Sequence, residues 1–396
     1  MRVSSVEITP VNIPLKAPIR WPWGIRTGIT RNIVKVHTDN GLVGYGETMG
    51  GTQIESLMKG MAESIIGSNP FDLELILSKF QLTSYFSGYA GLAAIAGIET
   101  ALWDVMARSV DKPLYELLGG LYRSRVPFSA YVFYRYPGVE EGGETTPDEI
   151  VGFCKRLVSD YGFSDIKLKG GVFAPNHDID TIAAIRQEFG DDMGLRIDPN
   201  AVWSPSTALE VSRKLLEYNL EYLEDPTPNL EGMARIRRDV PIPLATNMCV
   251  VDFDQIAPAF RLGSVDVILG DTHKWGGILA TKKLAAVCET LQFGFSLHSG
   301  CELGISTLAY AHVAASTPVL SFAADSHYMH LTDDILKGGL LRFKDGMLDV
   351  PNKPGLGVEL DEDKFGLFAE RYKEQGVLPG TGDQFNPNWI PKKVMF

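Results

Sequence analysis

The chain has 396 residues, a net charge of −12 at pH 7 and 45% hydrophobic residues. This composition excludes a disordered, collagen-like or coiled-coil chain, and the length predicts two domains or one barrel with an elaboration. An acidic surface repels phosphate backbones and anionic lipid, so we expect neither nucleic-acid nor membrane partners. The four cysteines form no C-x-x-C pair that would indicate a zinc or redox site. The N-terminus shows no signal-peptide pattern, and the longest apolar runs are too short for a membrane span; we therefore expect a cytoplasmic protein.

Residues 1–125 have an α+β pattern. Two β-rich runs flank Asp39-Asn40-Gly41, which predicts a hairpin. Residues 19–31 hold two tryptophans and three arginines with one proline and two glycines, a composition that suits a mobile lid loop or an ordinary surface loop with a packed tryptophan. The predicted elements, in chain order, are a strand over 3–13, strands over 33–37 and 42–45, and a helix over about 92–109.

From residue 126 to 340 the pattern becomes periodic. Short apolar runs end in polar residues that recur every 23 to 29 positions from Lys169 to Asp325, the length of one βα unit. Near-continuous repetition favours a TIM-type barrel over a doubly wound sheet. Thr146-Pro147-Asp148-Glu149 predicts a capping box, and Ser206 is the expected cap of a later helix. Residues 341–396 lose the period and are expected to return to the first domain. The predicted strands cover 131–133, 166–169, 195–198, 220–224, 243–247, 267–271, 295–298 and 319–325.

Polar side chains end consecutive predicted strands, where TIM barrels carry their active sites. Asp198, Glu224 and Asn247 offer oxygen ligands from three neighbouring strands. Hard oxygen donors without Cys or His favour Mg²⁺, with Mn²⁺ as the other candidate, over zinc. Taken singly, each carboxylate is more commonly the N-cap of a helix. The metal prediction therefore depends on the three occurring together.

Acid–base candidates flank this predicted metal site. Lys167 and Lys169 are alternate residues of one strand and should point the same way. Two ammonium groups beside a divalent cation should lower the pKa of one of them into the general-base range. On the other side of the mouth, Asp271 is placed to hold the His298 imidazole in one tautomer and to support its protonated form. A metal between two opposed bases predicts proton removal next to a carboxylate, with the ene-diolate stabilised by the metal.

Seven segments carry a resemblance to a known family: TRNIVKVHTDNGLVGYGE, YGFSDIKLKGGV, RIDPNAVW, YLEDP, ATNM, GFSLHSG and PGLGVELD. With them the chain resembles the mandelate-racemase-like part of the enolase superfamily, and within it the glucarate dehydratases. A Lys or His base with Mg²⁺ is the known chemistry of that superfamily. The resemblance implies a modified TIM barrel with an N-terminal α+β capping domain that the C-terminal segment completes. It also implies Asp198, Glu224 and Asn247 on Mg²⁺, Lys169 and the His298–Asp271 pair as acid/base arms, and Lys167 and Asn200 in assisting roles.

Departures from the glucarate dehydratases fall on substrate recognition. The glucarate dehydratases have Asn-Asn-His after their catalytic His-Ser, where this chain has Gly300-Cys301-Glu302. Their lid carries a histidine, whereas residues 19–31 of this chain carry arginines. An arginine in their C-terminal tail has no evident counterpart here. If Glu302 faces the cavity it would repel a distal carboxylate, whereas an inward-facing lid arginine would attract one. We lean to a diacid, because the arginines are the only evident distal partners. The candidate substrate contacts are Arg20, Arg26, Tyr131, Ser299, Glu302 and His327.

The predicted function is a Mg²⁺-dependent dehydratase of a small acid sugar, in a homo-oligomer. A racemase or epimerase would use the same two bases without a leaving group. The non-enzymatic alternative is a protein that binds a sugar acid at a catalytically inactive site. A Schiff-base aldolase on Lys167 or Lys169 is disfavoured because the three metal-type ligands would have no role.

Overall fold

A computed structural model describes residues 1–390. A three-stranded antiparallel sheet with packed helices precedes a parallel sheet of seven strands and its surrounding helices. This is the predicted modified barrel with an N-terminal capping domain, so the fold-class prediction is confirmed. The strands are β1 (Val3–Trp21), β2 (Gly24–Thr38), β3 (Val43–Met49), β4 (Arg125–Pro127), β5 (Ala130–Phe133), β6 (Asp165–Lys169), β7 (Gly194–Asp198), β8 (Tyr222–Glu224), β9 (Leu244–Thr246), β10 (Val267–Gly270), β11 (Gly294–Leu297) and β12 (Met347–Asp349).

Helices connect the strands of the barrel and pack on the first sheet. The helices are α1 (Thr52–Ser64), α2 (Leu73–Ser84), α3 (Gly88–Ser109), α4 (Leu114–Leu117), α5 (Pro147–Tyr161), α6 (Pro175–Phe189), α7 (Pro205–Leu215), α8 (Leu230–Asp239), α9 (Phe253–Leu262), α10 (Thr272–Trp275), α11 (Ile278–Leu291), α12 (Gly304–Ala315) and α13 (Glu362–Gln375).

The first sheet contains the predicted hairpin. Strands β2 and β3 pair with His37 opposite Val43, across the Asp39-Asn40-Gly41 turn. Helix α3 lies so close to β3 that a Cβ at Gly46 would stand 2.1 Å from the Gly97 carbonyl oxygen. Only glycine at this position lets the helix pack against the strand.

Residues 19–31 form a regular hairpin, so the prediction of a lid loop was wrong. Strand β1 continues to Trp21, β2 starts at Gly24, and Arg20 pairs with Ile25. Pro22 and Gly24 lie in or beside the tight turn, where Gly24 has φ 149°, whereas Gly28 lies within β2 opposite Pro14. The Ile25 N–H donates to the Gly382 carbonyl, so the C-terminal segment also holds the hairpin in place.

Helix α3 is the single helix within residues 1–390 with the length and apolarity of a membrane span, at 22 residues and a mean hydropathy of 1.3. Within the protein, 83% of its most apolar window is buried. It packs on α1 and β3 as the core helix of the capping domain. Its apolar composition is therefore accounted for by the core that it fills.

The predicted strand over 319–325 is not a regular strand. The segment makes isolated bridges to Phe295 of β11 on one side and to Phe128, just before β5, on the other. Between them the Ala323 carbonyl accepts from two side chains, the Arg196 guanidinium at 2.8 Å and Ser296 Oγ at 3.1 Å, rather than from the backbone N–H of a neighbouring strand. A side chain thus replaces a ladder bond, and an irregular segment joins the two ends of the parallel sheet.

Two predicted helix starts have different outcomes. Thr146 and Glu149 form the predicted capping box at α5, with Pro147 in the first turn. The cap of α7 is Ser204 and not Ser206: its side chain accepts from the Thr207 N–H at 3.2 Å. The proline that follows Ser204 takes the first helical position, which it suits because it has no N–H to satisfy.

The chain returns to the capping domain after the barrel. Helix α13 packs against β1, and β12 pairs with β4. Residues 377–380 reach the mouth of the barrel. Residues 391–396 of the predicted C-terminal segment lie outside the described residues, and the boundaries after residues 125 and 340 stay predictions.

Candidate active site

The predicted site residues lie at the carboxyl ends of consecutive barrel strands. The strand order β11-β10-β9-β8-β7-β6-β5 brings those ends to one mouth and sets β6 and β11 on different sides of it. Lys169, Asp198 and Glu224 are the last residues of β6, β7 and β8, and Asn247, Asp271 and His298 directly follow β9, β10 and β11.

The mouth opens into a cavity of about 580 Å³ under the β1–β2 hairpin and residues 377–380. No carboxylate of residues 1–390 is among the side chains that line it. A cavity lined by cations and free of carboxylates favours an anionic ligand. Its basic and imidazole side chains are Arg26, Arg31, Lys169, Lys274, His298 and His327.

Asp198 and Glu224 are fully buried just below the cavity floor. The positive charges of Lys169 and Lys167 outweigh burial and lower the pKa of Asp198. Burial and the negative charges of Asp198 and Asp325 outweigh the attraction of Lys167 and raise the pKa of Glu224 well above its usual range. The Asn247 amide donates to Glu224 Oε1. Two carboxylates and an amide therefore meet here, and of the two carboxylates Glu224 is the one whose negative charge is incompletely balanced.

This donor set fits a hard divalent cation. Its atoms are oxygens with an amide beside them, which suits Mg²⁺ in proteins. Asn200 donates its N–H to Asp198 Oδ1 at 2.8 Å, and its own Oδ1 is buried without a hydrogen-bond partner. A cation among these oxygens would neutralise the buried carboxylates. Asp198, Glu224 and Asn247 are the residues that could hold it.

Lys167 does not reach the cavity. Its Nζ lies 2.5 Å from Asp325 Oδ2 and also contacts Glu224. Burial alone would lower the pKa of Lys167, but the attraction of Asp325 and Glu224 raises it. The expected lowering of a lysine pKa by its neighbour is therefore wrong for Lys167, because each lysine is paired with carboxylates.

Asp271 has two roles at the start of α10. Its Oδ1 accepts from the His273 N–H at 2.8 Å and caps the helix, and its Oδ2 lies 2.8 Å from His298 Nδ1. The N-cap role and the imidazole-holding role thus coexist in one carboxylate. Burial and the positive charge of Lys274 lower the pKa of His298 to about 4, although Asp271 acts in the opposite direction. At neutral pH this imidazole is neutral, with Nδ1 committed to Asp271.

Arg20 and Arg26 lie on opposite faces of the hairpin. Arg26 lines the cavity, stacks on Trp21 with its guanidinium carbon 4.9 Å from the ring centroid, and reaches the Gly300 carbonyl at 3.4 Å. Arg20 does not line the cavity: its guanidinium lies over the rings of Tyr136 and Phe173. The prediction of Arg20 as a substrate contact was wrong, because a lid loop was assumed where strand alternation turns the side chain outward.

Glu302 also points away from the cavity, contrary to prediction. Its carboxylate accepts from Ser299 Oγ at 2.5 Å and from the Gly300 N–H, and the Tyr310 hydroxyl oxygen lies 3.3 Å from it. The repulsion that it would exert on a distal carboxylate is therefore absent from the cavity wall. Ser299, His327 and Tyr131 do line the cavity, and the Tyr131 hydroxyl donates to Asp198 at 3.1 Å.

Lys274 is a cavity residue that the sequence analysis missed. Its Nζ donates to Asn247 Oδ1 at 2.6 Å and to the Asn247 carbonyl at 3.2 Å. Burial, with a contribution from the positive charge of Lys169, lowers the pKa of Lys274 despite nearby carboxylates. The sequence offered one indication of this role: Lys274 lies three residues after Asp271, on the short helix that Asp271 caps.

Comparison with known proteins places the chain in a family. Residues 3–119 match the mandelate racemase / muconate lactonizing enzyme N-terminal domain, and residues 149–364 match the enolase C-terminal domain-like family. A probable glucarate dehydratase of Streptomyces coelicolor is 35% identical over 100% of this chain and 98% of its own. An N-succinyl-L-Arg/Lys racemase of Bacillus cereus is 26% identical over 92% and 96%. A crystal structure of a Pseudomonas fluorescens enolase with bound magnesium, potassium and tartrate is 35% identical, covers 95% of this chain and 94% of that one, and has a TM-score of 0.91.

The chain belongs to the mandelate racemase / muconate lactonizing enzyme family of the enolase superfamily. This confirms the resemblance to that superfamily. The named relatives include both a dehydratase and a racemase, so membership establishes an enzyme of this superfamily and leaves its reaction to be argued from the site.

The His298–Asp271 contact predicts an unusual imidazole titration. In metal-free protein the His298 ring should titrate near pH 4, well below the ordinary value near 6.5, because it is buried beside positive charge. Asp271→Asn removes the partner that stabilises the cation and should lower this pKa further. NMR titration of ¹⁵N-labelled histidine measures both values, with His298→Asn assigning the signal. A midpoint near 6.5, or a rise in Asp271→Asn, would contradict the assignment.

Proposed function

We propose that this enolase-superfamily enzyme is a Mg²⁺-dependent dehydratase of an acid sugar. It would remove the proton α to a carboxylate and eliminate the β-hydroxyl, giving a 2-keto-3-deoxy acid. One observation carries the proposal: Lys169 and the Asp271-held His298 line one cation-rich cavity from different sides. The 35% identity to a probable glucarate dehydratase over the whole chain supports the lyase reaction.

We further propose that Asp198, Glu224 and Asn247 hold the metal. When bound, Mg²⁺ polarises the substrate carboxylate and stabilises the charge that develops there as the proton leaves. The residues fit this role because two of them are fully buried carboxylates, and the negative charge of Glu224 is incompletely balanced. Magnesium in the related Pseudomonas fluorescens structure gives independent support.

Elimination needs one group that accepts the α-proton and one that donates a proton to the departing hydroxyl. Lys169 is the last residue of β6 and contacts Asp198 through Nζ, so one candidate group is fixed beside the proposed metal site. His298 has Nδ1 committed to Asp271, which leaves Nε2 as the nitrogen that exchanges a proton with the substrate. The α-proton passes to one group, the hydroxyl leaves as water with a proton from the other, and the enol product becomes the keto acid.

The cavity favours a diacid. Arg26 lines the cavity from the hairpin and reaches the Gly300 carbonyl at 3.4 Å, and Glu302 is turned into the protein. A guanidinium pairs well with a carboxylate through parallel hydrogen bonds. We therefore propose an aldarate, with its distal carboxylate at Arg26.

Racemisation or epimerisation is the second candidate. The same pair of groups on different sides of the cavity would remove a proton from one face and return it to the other, with no hydroxyl lost. The similarity to an N-succinyl-L-Arg/Lys racemase favours this candidate. The products separate the two, because only the dehydratase forms a 2-keto acid.

The metal proposal predicts loss of activity on chelation and recovery with Mg²⁺. Asp198→Asn and Glu224→Gln each remove a charged ligand and should weaken metal binding by roughly tenfold or more. Asp165→Asn, at the opposite end of β6, is the matched control and should bind metal normally. Calorimetric titration with Mg²⁺ measures the affinities. Full activity after exhaustive chelation would refute the proposal.

The acid–base proposal predicts that Lys169→Ala and His298→Asn stay folded and lose at least ~10²-fold in turnover, the usual scale for general acid–base groups. The His177 ring bonds to the Thr145 carbonyl away from the cavity, so His177→Asn should retain turnover. In D₂O, one of the two site variants should still exchange the α-proton of one epimer. If neither variant exchanges with either epimer, the two groups do not serve different faces.

The diacid proposal predicts that Arg26→Met lowers kcat/KM for glucarate by about ten- to a hundredfold, the scale of a hydrogen bond to a charged group. The matching aldonate should be affected much less. Arg20→Met is the matched control, since Arg20 lies outside the cavity over Tyr136 and Phe173. A wild-type preference for the aldonate that Arg26→Met leaves unchanged would exclude the diacid while preserving the dehydratase reaction.

A further inference from the structure

A second imidazole faces the cavity without a role in the proposed proton transfers. The His327 ring packs against Tyr131 and Phe133, with centroids 4.7 and 5.0 Å away. Its Nδ1 lies 2.7 Å from Ser299 Oγ, and that hydroxyl lies 2.5 Å from Glu302 Oε2. A buried carboxylate thus reaches the imidazole through one hydroxyl group.

Donor and acceptor counting fixes the hydrogen on this ring. Burial raises the pKa of Glu302, while the positive charge of Arg31 and the hydrogen bond from Ser299 act in the opposite direction. In its ionised form the carboxylate only accepts, so the Ser299 hydroxyl gives its single proton to Glu302. The Ser299 oxygen then has to accept from His327 Nδ1, which must carry a hydrogen. A neutral ring with hydrogen on Nδ1 has a bare Nε2, and Nδ1 is already engaged with Ser299.

Glu302 is itself held in place by the network around the proton-transfer imidazole. The Gly300 N–H donates to its Oε1, and the Tyr310 hydroxyl lies 3.3 Å from the same oxygen. The Tyr310 hydroxyl also donates to Asp271 at 3.0 Å. One buried network therefore orients two cavity imidazoles, His298 directly through Asp271 and His327 through Ser299.

We propose that Glu302, acting through Ser299, is a positioning residue that fixes His327 with its hydrogen on Nδ1, so that Nε2 accepts a hydrogen bond from a substrate hydroxyl. The site would then select a hydroxylated acid over its deoxy analogue. This rests on the proposed function only in taking the substrate to be an acid sugar.

A charged His327 that binds a carboxylate is the opposing arrangement. Burial, with the positive charge of Arg26 adding to it, lowers the pKa of His327 well below its usual value. Arg26 on the same cavity already supplies a permanent cation for a carboxylate. A neutral acceptor complements that arginine, because a polyhydroxylated diacid offers both carboxylates and hydroxyl donors.

The test reads the tautomer directly. Long-range ¹H–¹⁵N spectra of the metal-free full chain should show His327 with hydrogen on Nδ1, the signal being assigned with His327→Asn. In Glu302→Gln the Gly300 N–H keeps the amide oxygen at the Oε1 position, which turns the NH₂ group toward Ser299. Ser299 must then donate to Nδ1, and the hydrogen should move to Nε2. Ser299→Ala should lose the fixed tautomer, whereas Ser299→Thr should retain it.

Binding gives a second readout that needs no turnover. Tartrate carries hydroxyls that succinate lacks, and wild-type protein should prefer tartrate. Glu302→Gln should reduce that preference by about tenfold, the scale of one hydrogen bond lost at a buried acceptor. In kinetics with a turned-over acid sugar, the change should fall mainly on KM.

Two results would overturn the inference. One is a wild-type His327 with hydrogen on Nε2, and the other is an unchanged tautomer in both Glu302→Gln and Ser299→Ala. Failure of the proposed function is a separate result: no acid sugar is dehydrated, while the tautomer and its switch are observed as expected.

Discussion

Charge balance at the mouth of the barrel is the constraint on which the rest of the structure depends. Asp198, Glu224 and Asp325 are buried there, and an uncompensated buried charge costs several kcal/mol. Alternation along β6 sends both lysines to this face, Lys169 to Asp198 and Lys167 to Glu224 and Asp325. Because Asp325 lies on the irregular segment that joins the ends of the parallel sheet, the charges that build the site also close the barrel.

A second buried ion pair fixes the capping domain to the barrel. Arg31 Nε lies 2.7 Å from Glu47 Oε1, and both residues come from the capping sheet. Glu47 accepts from the N–H groups of Leu303 and Ser306 at the start of α12, each at 2.8 Å. Arg31 also donates to His273 Nε2 at 3.0 Å, beside Asp271. Arg31 and Glu47 of the capping sheet thus hold this side of the cavity by hydrogen bonds to the segments that follow Asp271 and the proposed proton-transfer residue His298.

The sequence predicted the strand ends well and the side-chain directions poorly. Asp198, Glu224 and Asp271 were found because each follows an apolar run, and parallel strands bring such positions to one edge. Glu302 and Arg20 were misplaced because their directions depend on contacts that the apolar pattern does not encode, hydrogen bonds from Ser299 and Gly300 for the first and strand pairing with Ile25 for the second. The prediction of a strand over 319–325 was wrong for a related reason. Arg196, more than a hundred residues away, donates to the Ala323 carbonyl, which a regular strand would have used in its ladder.

Residues at the strand ends and residues on the hairpin and loops have different proposed roles, and this division fits the family. The proposed proton-transfer and metal groups sit at or just after the ends of strands, where parallel hydrogen bonding leaves little freedom. The residues proposed to read the substrate lie on the hairpin, as Arg26 does, or in the loops after strands, as Ser299 and His327 do. Relatives named as a dehydratase and as a racemase match nearly the whole chain. We therefore expect differences in reaction and substrate within this family to follow the hairpin and these loops, since a loop can change without disturbing the buried charge balance below it.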